Sequence, residues 1–332
     1  MNPTSNHVAK PFDLINHPPE PGSLSDSDSF HAEGCLPHLG VLLIEGRDAA
    51  NFLQSQLTSD VMALQAPGDA QWTGYCNPKG RLYLTGWLAK TAESESAYAL
   101  IIDRSLSASM LKRLRMFVLR AKLSIDEAAE PLHIYGQIGT ALTLPQDALQ
   151  LRIPSATIKA GTSIQRSLYW LKARDPGEGL TPTWHWLQLL SAEAWIDATV
   201  SERFVPQMLN FERIGGVNFK KGCYPGQEVV ARSQYLGKLK RRSFLYRVDD
   251  PKQSLPEPGQ ALGEASNPEL NIVSLARCPG TSGQSLWELA TTDAQTRQSC
   301  PLALILAEGR TDSASELLGQ PLPLPYALQD ES

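Results

Sequence analysis

Apolar and polar residues fall into regular periods from Leu36 onward. Leu39-Gly40-Val41-Leu42-Leu43-Ile44-Glu45-Gly46 is a short apolar run closed by glycine, the pattern of a buried strand. Asp48 stands where it can cap a helix through residues 49–57, whose apolar positions recur at helical spacing. Strands are predicted over 70–75 and 81–89, joined through the turn-forming Asn77-Pro78-Lys79-Gly80. A strand over 98–102 leads to Asp103, a cap for a helix over 105–117, and 119–125 reads as one more strand. This order predicts an α+β unit with a largely antiparallel sheet and helices packed on it.

The pattern is weaker from 130 to 180, where short strands joined by long loops are expected. Residues 184–198 read as a helix, with Trp184, Leu187, Leu190 and Ala194 on one face. After Arg242 the texture changes to short apolar runs split by Pro/Gly loops, as in a small β-barrel. At 332 residues the chain has room for about two or three domains. Residues 1–34 are rich in Pro, Ser, Asn and Asp without a basic stretch followed by an apolar one, and read as a disordered leader rather than an export signal. No apolar run approaches the roughly 20 residues that cross a bilayer.

Five scattered cysteines, an odd number with no C-x-x-C pair, fit neither a disulfide framework nor a zinc site, and a cytoplasmic protein is expected. The histidines show no metal-ligand spacing. The formal net charge of −5 argues against a generic polyanion binder. Cations nevertheless cluster at Lys112, Arg113, Arg115, Arg120 and Lys122, and again at Lys220, Lys221, Arg232, Lys238, Lys240, Arg241 and Arg242, so an anionic ligand is plausible on composition.

The segment Lys220-Lys221-Gly222-Cys223-Tyr224-Pro225-Gly226-Gln227-Glu228, closing on Arg232, carries the most chemistry. One thiol sits between glycines, beside lysines and ahead of a short helical stretch, a setting that lowers a cysteine's pKa. Cys223 is therefore the leading functional residue; the alternative is a small packing side chain in a turn. Lys221 and Arg232 would stabilise its thiolate or bind anionic groups, or else be ordinary surface charge.

Other segments line up around it: Gly46-x-Asp48-Ala49-x-x-Phe52-Leu53-Gln54-x-Gln56-Leu57-Thr58-x-Asp60-Val61, Tyr75-Cys76-Asn77-Pro78-Lys79-Gly80-Arg81, Phe204-Val205-Pro206-Gln207-Met208, Gly215-Gly216-Val217-x-Phe219, Lys240-Arg241-Arg242 and Pro323-Leu324-Pro325-Tyr326-Ala327-Leu328. With these the chain resembles, from about Leu36 to Leu328, the YgfZ family of bacterial folate-binding proteins, relatives of the aminomethyltransferase T-protein of glycine cleavage.

The resemblance implies a T-protein-like α+β fold, with three domains around a central folate channel and a C-terminal β-barrel. Its first domain would be discontinuous, residues 35–129 with 200–239, followed by a second at 130–199 and the barrel at 240–330. The thiol segment would then lie beside the Lys79-Gly80-Arg81 turn and the basic stretch 115–122. It further implies tetrahydrofolate or a one-carbon derivative as ligand, and support of iron–sulfur enzymes or their assembly proteins, including those that methylthiolate tRNA.

Trp184 aligns with the family's folate-stacking tryptophan, and Trp186 does so if the alignment slips. Leu39 stands where some members carry a second one. Tyr224, Gln227, Glu228, Lys79 and Arg120 complete the expected folate contacts, although Gln227 and Glu228 could equally satisfy a helix start. Cys76 is read as structural, and Cys278 and Cys300 as packing residues.

Two other functions compete. A true aminomethyltransferase would carry an aspartate shortly after the third strand, whereas residues 104–110 hold none and Asp103 comes too early. Direct tRNA binding through the basic clusters is the other; it would show steep salt dependence.

Overall fold

The computed structural model describes residues 30–92, 96–128, 132–139, 148–172, 179–237, 239–264, 266–291, 299–311, 316–319 and 321–328. Most of the expected leader lies outside them. Its last residues are not leader, however: Phe30 is buried and Ala32–Cys35 form strand β1.

The chain then runs through β2 (Leu39–Glu45), α1 (Ala49–Gln56), β3 (Ala70–Cys76), β4 (Leu82–Lys90), β5 (Ala97–Asp103), α2 (Ser107–Val118) and β6 (Ser124–Glu127). These strands form one antiparallel sheet in the order β3-β4-β5-β2-β6. The β2, β4 and β5 runs are apolar at nearly every position because both faces of the sheet are covered.

Two local expectations fail. Asp48 does not cap α1; its carboxylate instead accepts the Lys122 backbone N–H at 2.7 Å, tying the helix start to the entry of β6. Residues 119–123 are not strand, because Leu119 closes α2 at φ 45°, a left-handed conformation that breaks an extended run. Asp103 does cap, but through a 3-10 turn at Arg104–Leu106, where it accepts the Ser105 N–H at 2.9 Å.

The middle of the chain supplies β7 (Leu132–Ile138), the small hairpin β8 (Ala156–Lys159) and β9 (Thr162–Ile164), β10 (Arg166–Lys172) and α3 (Thr181–Leu190). β7 is the central strand of a three-stranded sheet, flanked by β1 and β10. Helix α3 is shorter than its apolar pattern suggested, since Ala192 adopts φ 48° and residues 191–200 fold into turns. The 200–220 segment then returns to the first sheet. Leu82 N–H donates to Phe204 O at 2.8 Å, Asn218 N–H to Thr58 O at 2.9 Å, and the Thr58 hydroxyl to Gly216 O at 2.6 Å. Helix α4 (Gln227–Tyr235) follows.

The last part contains β11 (Arg241–Val248), β12 (Ala261–Glu264), β13 (Asn267–Arg277), α5 (Thr281–Ala290) and β14 (Ala303–Arg310). Among the described residues these strands make an antiparallel sheet in the order β11-β14-β13-β12, with no pairing between β11 and β12 that would close a barrel. Helix α5 was not evident from the apolar pattern. It packs on α3: Trp186 Nε1–H donates to Gly283 O at 3.0 Å, and the Thr183 and Ser282 hydroxyls are 2.9 Å apart. No described helix is long and apolar enough to cross a membrane.

Candidate functional site

The thiol segment is built on backbone contacts. Asn218 Oδ1 accepts the N–H groups of Lys220 and Lys221 at 2.8 and 3.1 Å, folding the chain into a tight turn before the cysteine. Lys221 then reaches away from the thiol. Its Nζ donates to the carbonyls of Gln54 and Leu57, both at 2.6 Å, satisfying acceptors that the end of α1 leaves open. Burial pushes this amine down to about 8, against the pull of Asp60. Lys221 also lies over the Tyr224 ring, 5.3 Å from its centroid.

Gly226 explains the second glycine of the segment. It sits at φ 78° as the residue before α4, and a Cβ there would be 2.3 Å from Asn77 O and 2.7 Å from Gly80 Cα. Only a residue without a side chain lets the thiol segment close on the 77–80 turn. That turn is itself organised by Asn77, whose Oδ1 accepts the N–H of Lys79 at 2.9 Å and of Arg81 at 3.0 Å. The sequence expectation that this turn and the thiol segment meet thus has a backbone basis.

Its counterpart for the basic stretch does not. Arg115 is engaged at 2.8 Å by Ile125 O and at 2.7 Å by Asp126, and Arg120 is exposed beyond α2.

Cys223 is exposed. Arg232 pairs its guanidinium with Glu228 at 2.8 Å on α4, where both side chains are largely in solvent. Glu228, expected either to contact a pterin or to satisfy the helix start, is thus placed at the surface in this ion pair. Gln227 opens the helix, half-buried, with its N–H on Tyr224 O at 3.2 Å. Lys79 is exposed at its turn. Tyr224 is buried, its hydroxyl has no protein partner, and burial followed by the nearby Cys76 raises its pKa. Burial likewise drives the Cys76 thiol upward, in keeping with a structural cysteine.

A second centre lies in the interior, where the sheets meet. Trp184, Trp87, Trp72 and Trp195 pack edge-on or tilted, with successive ring centroids 4.7 to 6.1 Å apart. The Arg166 guanidinium lies among them, 5.4 Å from the Trp87 ring and 5.9 Å from that of Trp184. It makes a two-pronged pair with Glu193 at 2.7 and 2.6 Å, both side chains being buried. Burial raises the Glu193 pKa while Arg166 pulls it back.

The expected stacking role of Trp184 meets a covered ring. Trp184 is fully buried, and a Cβ on Gly136 would lie 2.7 Å from its six-membered ring. What is left open is its Nε1–H, which, like those of Trp87 and Trp195, has no acceptor among the described residues. Trp186 is already committed to Gly283.

Beside this cluster, Arg242 donates to Asn210 Oδ1 at 2.9 Å and to Glu212 Oε1 at 2.8 Å, while Asn210, at φ 54°, donates to Ser243 O at 2.9 Å. The Tyr326 hydroxyl donates to Ala192 O at 3.1 Å and feels the charges of both Glu212 and Glu193, so the two buried ion pairs are neighbours. Glu212 Oε2 and Gln207 Oε1 are buried acceptors without a donor among the described residues. Gln207 Nε2–H donates to Val230 O of α4 at 2.8 Å, linking this centre to the thiol helix.

Arg166, Glu193, Asn210 and Glu212 escaped sequence reasoning: Arg166 opens β10 in the weakly patterned middle of the chain, and the other three are single polar residues in irregular stretches. Arg242 and Tyr326 stood inside recognised segments without an assigned task. Among the described residues no group of three or more His, Cys, Asp or Glu side chains is arranged to hold a metal ion.

Comparison with known proteins adds the following. No family model matches the chain. A tRNA-modifying protein YgfZ from Colwellia psychrerythraea is 31% identical over 252 residues, 69% of this chain and 76% of its own. The protein of that name from Edwardsiella ictaluri is 30% identical, with 84% of this chain and 88% of its own covered. The one from Vibrio vulnificus (strain YJ016) is 29% identical over 90% of this chain and 94% of its own. The crystal structure of glycine cleavage system aminomethyltransferase T from Bartonella henselae superposes with a TM-score of 0.56 at 12% identity, covering 86% of this chain and 80% of that one. The α+β fold is therefore of the T-protein type.

Proposed function

The chain belongs to the YgfZ family, and from that premise we propose that it is a cytoplasmic tetrahydrofolate-binding accessory protein supporting the assembly or repair of iron–sulfur enzymes, among them those that methylthiolate tRNA. In this reading residues 35–129 and 200–239 act as one unit, with 130–199 and 240–330 packed around it.

The observation that carries the folate assignment is the set of buried polar atoms without protein partners at the aromatic centre. A pterin presents a flat ring with donors and acceptors along its edge, and it needs matching groups in an apolar surround. Trp184 Nε1–H could donate, while Glu212 Oε2 and Gln207 Oε1 could accept. Unpaired buried groups of this kind are costly, which favours a ligand or ordered water that completes them. The residues present therefore fit the group. When bound, tetrahydrofolate supplies a carrier for one-carbon units. The protein's own contribution is to hold the ring away from bulk water, with Arg166 and Arg242 paired to Glu193 and Glu212 in a buried setting.

Cys223 lies outside this buried centre, on the exposed rim of α4, where a partner protein could reach it. That placement supports a thiol that works with a partner. Aminomethyl transfer is disfavoured because Asp103, the acidic residue nearest the required position, spends its carboxylate on the Ser105 N–H and hydroxyl.

Calorimetric titration with tetrahydrofolate species tests the reading. Wild type should bind, and Trp184→Phe, which keeps an aromatic ring but removes the donor, should bind about tenfold more weakly. Absence of binding by a folded wild-type protein to any reduced folate would overturn it.

A further inference from the structure

The two cysteines read from the sequence as packing residues do more than pack. Cys278 directly follows β13 and Cys300 stands three residues before β14, and their Sγ atoms lie 3.1 Å apart. Both are free and partly accessible. The arrangement is anchored by the sheet: Cys278 N–H donates to Leu302 O at 2.9 Å, so the strands that carry the two thiols are held in register at this point. Gly283 is tucked against the pair, since a Cβ there would be 2.7 Å from Cys278 Sγ. Its carbonyl is the one that receives the Trp186 indole N–H. Arg247 lies near Cys300 and over the Trp287 ring of α5.

We propose that Cys278 and Cys300 form a reversible dithiol–disulfide pair, a redox site distinct from Cys223, which takes a hydroperoxide as oxidant and clamps α5 against the sheet when closed. The two sulfurs are already adjacent, so bond formation needs no rearrangement of the strands. Burial, and then the hydrogen bond and charge of Cys278, push the Cys300 thiol up to about 12, so Cys300 is the partner that stays protonated. Cys278 accordingly attacks first.

Its thiolate attacks the distal, hydroxyl-bearing oxygen of the hydroperoxide, an S–O bond forms as the O–O bond breaks, and the proximal oxygen leaves as an alcohol or water after taking a proton. Cys278 is then a sulfenic acid. The Cys300 sulfur attacks the Cys278 sulfur, the S–O bond breaks, and the oxygen departs with the Cys300 proton as water. Two thiols lose two electrons, and the peroxide is reduced by two. A small dithiol reverses the step by exchange.

The consequence reaches the interior. The disulfide closes the loop that contains α5, and α5 holds α3 through Gly283 and Ser282. The proposal stands whether or not the interior binds folate.

It is tested by treating reduced full-length protein with tert-butyl hydroperoxide, blocking free thiols and mapping peptides without reduction. A Cys278–Cys300 peptide should form and disappear with dithiothreitol. The denatured thiol titre of wild type should fall from five to three when Cys223 is protected by prompt quenching. Cys223→Ser should retain the bridge, whereas Cys278→Ser and Cys300→Ser should lose it. The oxidised protein should unfold about 5 °C higher than the reduced one, as expected for closing a loop of this length. The proposal is overturned if both thiols remain alkylatable while Cys223 oxidises, or if either bridges to a different cysteine. Equal thermal midpoints for bridged and reduced protein would overturn the clamp.

Discussion

At the scale of single residues, Gly226 bears more of the architecture than the cysteine three positions before it. Its positive φ and its contact with Asn77 O leave no room for a methyl group. Gly226→Ala should destabilise the protein by about 2–4 kcal/mol, through strain and through loss of the close approach of two turns. Urea denaturation of the variant measures this, and a change under about 0.5 kcal/mol would count against the packing described. Gly222, by contrast, has open space around its Cα and tolerates a methyl on contact grounds. Lys221 gives a related lesson. Its proximity to Cys223 in sequence suggested an electrostatic partner for the thiol, yet the side chain spends its charge on the carbonyls closing α1. Adjacency along the chain reports reach, not direction.

At the scale of elements, the junction between the first sheet and α3 is pH-sensitive. His38, just before β2, shares a hydrogen bond of 3.0 Å with Thr181 and packs edge-on at 4.4 Å against His185 of α3. Burial, then the charges of His185 and Arg104, depress His38 to about 3, and burial also lowers His185. Between about pH 6.5 and 3 the unfolded chain therefore binds protons that the folded one refuses, so stability is lost as pH falls. The slope for His38 should reach about 1.4 kcal/mol per pH unit. Urea midpoints at pH 7 and pH 5 should show the fall, and His38→Gln should flatten it; an unchanged slope in that variant would sink the assignment.

The elements also show what sequence makes legible. Strands β2 to β5 and helices α1 and α2 follow from apolar periodicity because their burial is local and repetitive. Residues 119–123 and 191–200 did not, because the chain is turned there by left-handed residues, Leu119 and Ala192, that nothing in their composition announces. Helix α5 was missed because its buried Leu286 and Trp287 are few, and its docking on α3 joins Gly283 and Ser282 to Trp186 and Thr183, partners far away in the sequence.

At the scale of the whole molecule, the exposed thiol and the buried aromatic centre are separate places joined through Gln207 and α4. The thiol was visible in the sequence as a compact segment. The centre was not, because its charged residues come from β10, the stretch after α3, the turns ahead of α4 and β11, and only folding collects them. The separation has a functional corollary. Cys223→Ala should leave the fold and folate titration unchanged, yet fail to restore iron–sulfur enzyme activity in oxidatively stressed cells lacking the wild-type protein. Full restoration by that variant would remove the thiol from the proposed function.

The return of the 200–220 segment to the first sheet has a consequence for the order in which the protein is made. Arg81 waits 122 residues for Arg203, and Thr58 waits 158 residues for Gly216. At a translation rate of about 5–20 residues per second, these partners reach a nascent first sheet only after roughly 6 to 30 seconds. Until then the Thr58 hydroxyl and the β3–β4 turn lack the cover they have in the finished molecule. Any chain released before residue 223 carries neither the Cys223 thiol nor helix α4 that follows it. The site is thus a late product of synthesis, and its assembly reports that more than two-thirds of the 332-residue polypeptide has been delivered intact.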